Sequence, residues 1–149
     1  MTAQGMRERR ERVVIVAGAR TPVGGFGKAF VETPAHVLGA AAVTGALHRA
    51  GVAADDIGEV VMGNIGQIGA DAYNARRVAI EAGLHPRVPA FTVNRLCGSG
   101  LQAIWSGAQE LLWGGVDAVV AGGDENMSRL PFYDYDARWN DRLGDRTLV

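Results

Sequence analysis

The stretch Asn94-Arg95-Leu96-Cys97-Gly98-Ser99-Gly100 combines the residue types that covalent nucleophilic chemistry needs: a thiol, two nearby glycines and a run that opens a helix. Leu101, Ile104, Trp105, Ala108, Leu111 and Leu112 recur at spacings of three and four, which predicts a helix over residues 97–113 with the thiol at its start. Unpaired N–H groups and the positive end of the helix dipole favour a thiolate there, and the thiolate is the nucleophile. Gly98 and Gly100 leave the sulfur open, so that a substrate carbonyl could approach the backbone and the Cys97 N–H could help bind an oxyanion. A lone cysteine is also commonly an inert, small apolar residue. Its place at a strand-to-helix switch, beside glycines, brings the reactive reading level with the inert one.

Three other patterns touch the same glycines or their like. Residues 98–103 (GSGLQA) satisfy the dinucleotide pattern G-x-G-x-x-G/A, but they follow the third strand of the chain instead of the first. Asp124, the first acid at the end of the next strand, lies 26 residues past Gly98 where about 20 is expected. Gly27-Lys28 suggests a phosphate loop, yet that spacing puts Pro22 where glycine is required and Ala29 where a magnesium-binding hydroxyl should stand. Ser99 is not a nucleophile elbow, because G-x-S-x-G would need glycine at position 97. His36, His48 and His85 have no metal-ligand spacing, and none follows a strand's carboxyl end. All three read as structural or surface residues, and a histidine partner for Cys97 is expected outside this chain.

The elements that must position Cys97 follow from hydropathy. Residues 13–17 (VVIVA) read as a strand buried on both faces, followed by a polar, glycine-rich stretch to Lys28. Thr33-Pro34 reads as an N-cap and first helical residue for an alanine-rich helix to Ala50, closed by Gly51. Residues 57–62 are a second strand, 72–82 a helix stopped by Gly83, 90–93 a third strand, 97–113 a helix ended by Gly114-Gly115, and 116–121 a fourth strand. Four strands alternating with three helices give βαβαβαβ, an α/β fold with a mostly parallel sheet covered by helices on both faces. Active residues in such folds lie beyond the carboxyl ends of the strands. From Asp124 onward, aromatics and mixed charges show no clear period, as at the beginning of a further domain.

Composition bounds the remaining options. The chain has 149 residues, 48% hydrophobic and 21% charged, with a formal net charge of -1, which suits one globular unit and excludes a disordered chain. The charge balance offers no electrostatic basis for binding nucleic acid or an anionic membrane. Residues 1–12 form a charged terminal tail, and the apolar run after it is too short for a signal sequence or a membrane span. A single cysteine cannot form an intramolecular disulfide, which favours a reducing, cytoplasmic setting, and it leaves no cysteine-based metal cluster. Glycine, at 21 residues, is about twice its usual share (~7%) without a collagen period, so it must serve turns, helix ends and close contacts.

Four segments, in order, resemble the thiolase family (acetyl-CoA acetyltransferases and 3-ketoacyl-CoA thiolases): ARTPVGGFGKAF at 19–30, VVMGNIGQIG with NARR at 60–77, PAFTVNRLCGSGLQAI at 89–104 and VVAGGDENMSRLP at 119–131. The third is the most specific, because it is similar to the thiolase block around the acylated cysteine, with Cys97 at that position. CGSG is closer to thiolases proper than to ketoacyl synthases. The resemblance implies an N-terminal thiolase half in which 13–124 is an incomplete α/β domain lacking its last strand and 125–149 the truncated start of the loop domain. Asp71-Ala72-Tyr73 stands where the family usually has Gly-Gln-Asn near its dimer contact, and Asp124 replaces a usually apolar or small residue.

By this resemblance, Cys97 would take an acyl group from acyl-CoA as a thioester and pass it to a second acetyl-CoA or to free CoA. The expected partners are CoA and acyl-CoA as substrates, with no other cofactor and no metal. A homo-oligomer is expected when full length, with residues 90–93 as the dimer seam, or else a complementary C-terminal chain. In thiolases the general base, the second cysteine, the Asn-Glu motif and most CoA contacts lie further along. Two alternatives stand beside this reading: an inactive truncated or split fragment, and a dinucleotide-binding domain. Glu125 to Ser128 read as structural, with Ser128 in a turn or cap.

Overall fold

Val60, Val61 and Met62 are consecutive, apolar and at most 2% exposed, the signature of a strand covered on both faces. In the computed structural model, which describes residues 13–113, 115–135 and 137–140, they form the centre of β1 (Glu59–Gly63). This strand pairs in parallel with β2 (Ala90–Val93) on one side and β3 (Val119–Gly123) on the other, with Val61 opposite Phe91 and Ala121. Parallel neighbours require crossovers. Helix α2 (Asn74–Glu81) connects β1 to β2 and α3 (Ser99–Trp113) connects β2 to β3, while α1 (Ala35–Ala50) precedes the sheet.

The period of two along each strand sorts side chains between the helices. Val60 and Met62 join Val43 of α1 and Ala75, Val78 and Ala79 of α2 in the main core, where each large apolar side chain contributes about 1.5–3 kcal/mol. On the other face, Gly107 of α3 lies against Val119 and Ala121, so a Cβ there would come within 2.9 Å of Val119. Helices therefore cover both faces of a parallel sheet, as the hydropathy pattern implies. Helix α1 ends at Gly51, whose left-handed φ of 65° lets its N–H reach the carbonyls of Leu47 and His48. Helix α2 follows a 3-10 turn (Gly69–Tyr73), and the chain leaves it through Gly83 at φ 79°.

One expected strand is corrected. Residues 13–17 form no strand: Val14, Ile15 and Val16 are 68%, 82% and 68% exposed. A strand exists only through its ladder bonds; β1 is already flanked on both sides, and no described residue pairs with this run. It instead runs past α1, where Arg49 Nη1 donates to Gly18 O at 2.8 Å. Smaller corrections concern boundaries. Pro34, not Thr33, is the N-cap of α1: its carbonyl accepts from Val37 N, and no side chain caps the helix. The second and last strands end one and two residues later than the apolar runs do, because Gly63 and Gly123 are compatible with pairing though not with an apolar pattern. The 1–12 tail, Gly114, Asp136 and residues 141–149 lie outside the described residues.

A candidate site at the carboxyl ends of the strands

The chain leaves β2 at Val93 and turns sharply before α3. Cys97 stands in this turn, two residues ahead of the first helical residue Ser99, so the expectation that the helix starts at Cys97 is corrected. Gly98 supplies the first helical acceptor, to Gln102 N at 2.9 Å. Leu96 has φ 49°, a left-handed conformation that costs a branched L-residue about 1–2 kcal/mol. The turn repays this with a dense set of bonds. Leu96 N donates to Asn94 Oδ1 (3.0 Å), Gly98 N to Arg95 O (3.0 Å) and Ser99 N to Leu96 O (3.0 Å). Ser99, 5% exposed, accepts from Arg95 N (2.8 Å) and donates to Leu96 O (2.6 Å) through its hydroxyl. The outcome is an exposed Cys97 on a rigid corner.

Glycines let the strand ends press against that corner. A Cβ on Gly63 would collide with the Ser99 carbonyl carbon and lie 2.6 Å from Gly100 N, and one on Gly123 would lie 3.0 Å from Gly63 O. Cys97 lines an open cavity of about 800 Å³ together with Phe26, Leu38, Asn64, Ile104 and Asp124. The segment after β3 clips two loops to this wall. Glu125 accepts from Ile65 N (2.8 Å) and Gly66 N (3.1 Å), Asn126 Nδ2 donates to Phe30 O and Thr33 O (both 2.7 Å), and Ser128 Oγ accepts from Gly27 N (2.9 Å). Glu125, Asn126 and Ser128 thus make backbone-holding hydrogen bonds and also line the cavity.

Asp124 is the unexpected member. Its side chain leaves β3 toward α1 and α2, so that Oδ2 abuts Gly39, while Oδ1 accepts from Asn64 Nδ2 (3.1 Å) and Asn74 Nδ2 (2.7 Å). Asn64 also donates to Asp124 O (2.9 Å), and both asparagines are buried. Burial pushes the Asp124 carboxyl up to about 6, against the opposing effect of the two amide donors and with help from Glu125 and Asp71. Its Oδ2, like Asn64 Oδ1 and Asn74 Oδ1, has no donor among the described residues.

The histidines stay apart from the thiol. His36 is buried in the first turn of α1, where burial and the Arg77 charge push its pKa down; His48 is exposed, and His85 Nδ1 accepts from Arg87 N. None of them lines the Cys97 cavity. Among the described residues no three His, Cys, Asp or Glu side chains are gathered for a metal. Sequence reasoning missed Asn94 and Ser99 as the holders of the turn and the Asn64–Asp124–Asn74 cluster. Asn94 carries a readable signal, an Asx turn to the N–H two residues on; the cluster joins residues far apart in sequence and carries none.

The family profile described as thiolase, N-terminal domain, matches residues 13–149. The chain is similar to beta-ketothiolase BktB of Cupriavidus necator, 49% identical over 138 residues, covering 92% of this chain and 35% of that protein. It is 46% identical to an acetyl-CoA acetyltransferase of the same organism over 137 residues (92% and 35%), and 42% identical to a probable acetyl-CoA acyltransferase of Staphylococcus aureus over 138 residues (93% and 35%). It spans about a third of the length of these relatives.

Proposed function

The chain belongs to the thiolase family, and from that premise we propose that it is the nucleophile-bearing part of an acyltransferase acting on CoA thioesters through Cys97. One observation carries the reading: an exposed thiol, held on a tight turn beyond the carboxyl ends of parallel strands and lining a cavity. Cys97 Sγ, as thiolate, adds to the carbonyl carbon of an acyl-CoA. The carbon–sulfur bond to CoA breaks, CoA takes up the proton that Cys97 gave, and the acyl group remains as a thioester on Cys97. In the condensing direction the α-carbon of a second acetyl-CoA, after losing a proton to a base, displaces Cys97; in thiolysis Cys97 instead adds to the 3-keto carbon of a 3-ketoacyl-CoA, the C2–C3 bond breaks, C2 takes up a proton as acetyl-CoA leaves, and CoA sulfur then displaces Cys97. CoA thioesters are then substrates, and the reaction needs no further cofactor.

A free catalytic thiol suits the reducing cytoplasm, and no described helix is long and apolar enough to cross a membrane. The outer edge of β2 is the seam we assign to self-pairing in a homo-oligomer, since it is an open sheet edge with Phe91 partly exposed. The test is mass spectrometry after incubation with acetyl-CoA, with the chain combined with the remaining segment of a relative. Acetyl on Cys97 is expected; no acetyl group there removes the nucleophile assignment.

A second reading is a chain that is inactive until joined by a complementary polypeptide. It is favoured by the absence of histidine from the cavity lining among the described residues, since a base must take the thiol proton. Thiolysis of acetoacetyl-CoA by the isolated chain, abolished in Cys97→Ala, would sink it.

A further inference from the structure

Gly63 and Gly123 end the two strands that abut the start of α3, and the next residue in each case is polar and tied to the other: Asn64 donates to the backbone and the carboxylate of Asp124. Asp124 N in turn donates to Gly63 O (3.1 Å). The same Oδ1 accepts from Asn74, the first residue of α2, and Oδ2 rests on Gly39 of α1. One side chain thus touches both strand ends and both helices of that face, one residue away from the backbone contact that seats the Cys97 turn.

We propose that Asp124 is a positioning residue of the Cys97 site, whose buried carboxylate pins the 64–74 connection to the end of β3 and so sets how Gly63 and Gly123 seat Ser99 and Gly100. The inference rests on the reading of Cys97 as the nucleophile. Ionised, Asp124 draws both amide donors onto Oδ1 by charge-assisted bonds. Protonated, it holds them more weakly, and its Oδ2 gains a donor hydrogen where none of the described groups donates to it.

The charges that bear on it come from three directions. Glu125, beside it, and Asp71, on the 3-10 turn, oppose its ionisation, and Asp71 is paired with Arg77 at 2.7 Å. From α1, His36 lies one turn before Gly39, and burial and the Arg77 charge lower its pKa and favour the neutral ring. Asn64 follows the end of β1, and the α3 side presents the backbone of Ser99 and Gly100 to the strand ends. Asp124 is the member of this set whose pKa is raised to about 6, and the comparison with Asp124→Asn isolates its titration.

The experiment follows iodoacetamide alkylation of Cys97 from about pH 5 to about pH 8 in the wild type and in Asp124→Asn, with circular dichroism on the same samples. The ratio of variant to wild-type rate is expected to be near one below about pH 5 and to rise about threefold or more above about pH 7, inflecting near 6. A constant offset would mark a merely structural role. A flat ratio in a folded variant overturns the proposal. Should the variant unfold, the wild type decides: the amide resonances of Ser99 and Gly100 must titrate near 6 together with that of Asn64, and their failure to do so overturns it. Alkylation needs no acyl-CoA, so a missing acetyl group on Cys97 leaves this readout intact, and a flat ratio leaves the acyl-enzyme reading intact.

Discussion

At the scale of single residues, the Cys97 corner is held by Ser99 as much as by any backbone feature. Ser99→Ala removes two hydroxyl bonds and leaves the Arg95 N–H and the Leu96 carbonyl without those partners, next to a left-handed Leu96. It is expected to cost about 1–3 kcal/mol in urea unfolding and to alter the rate of Cys97 alkylation, whereas an exposed control such as Asp117→Ala changes neither. Asp124 reverses the usual pH behaviour of a carboxylate. Its folded pKa of about 6 lies above the ordinary 3.8, so the native state binds the extra proton between those values. The protonated carboxyl therefore stabilises fully below about 3.8, and that contribution is lost as pH rises through about 6. Asp124→Asn is expected to match the wild type near pH 4 and to exceed it by about 1–3 kcal/mol near pH 8, read from urea midpoints. His36 acts with the opposite sign: its lowered pKa favours the neutral ring, whose contribution is lost as pH falls. Comparing variant with wild type cancels it.

At the scale of elements, close packing of strand ends on a helix start decides where the nucleophile sits. Gly63→Ala drives a Cβ into the Ser99 and Gly100 backbone, which has no flexible end to yield. We expect a loss of about 2–4 kcal/mol, against little change for Gly18→Ala, whose Cβ meets nothing. The segment after β3 acts as a clip, and Glu125→Gln, which keeps shape but not charge, should loosen residues 65–66 and speed their amide exchange while leaving the β1 amides protected. Much of this scale was legible from the chain. Ala90–Val93 is the short strand expected there, and Gly51 and Gly83 close helices where glycine signals an end. The start of α3 was misplaced by two residues because apolar periodicity reports a helix's face and says nothing of how a turn with Leu96 left-handed delays its first bond.

At the scale of the whole molecule, apolar surface remains where pairing is missing. Residues 13–17 and the outer face of α3, with Leu101 at 76% and Trp105 at 66% exposure, offer apolar side chains to solvent. Ile15→Lys is expected to lower dye binding and light scattering of this chain without shifting its urea midpoint, since Ile15 is 82% exposed. The chain's own pattern determined the parallel sheet with helices on both faces and the place of Cys97 at a strand-to-helix switch. Period-two and period-three-to-four spacing, turn glycines and a lone thiol are local signals, readable without a fold. What only the tertiary structure decided was which apolar run finds a ladder, how Gly63, Gly100 and Gly123 converge behind the nucleophile, and the meeting of Asn64, Asn74 and Asp124. Those depend on contacts between residues up to 60 positions apart, whose desolvation and bonding exist only once the strands are side by side.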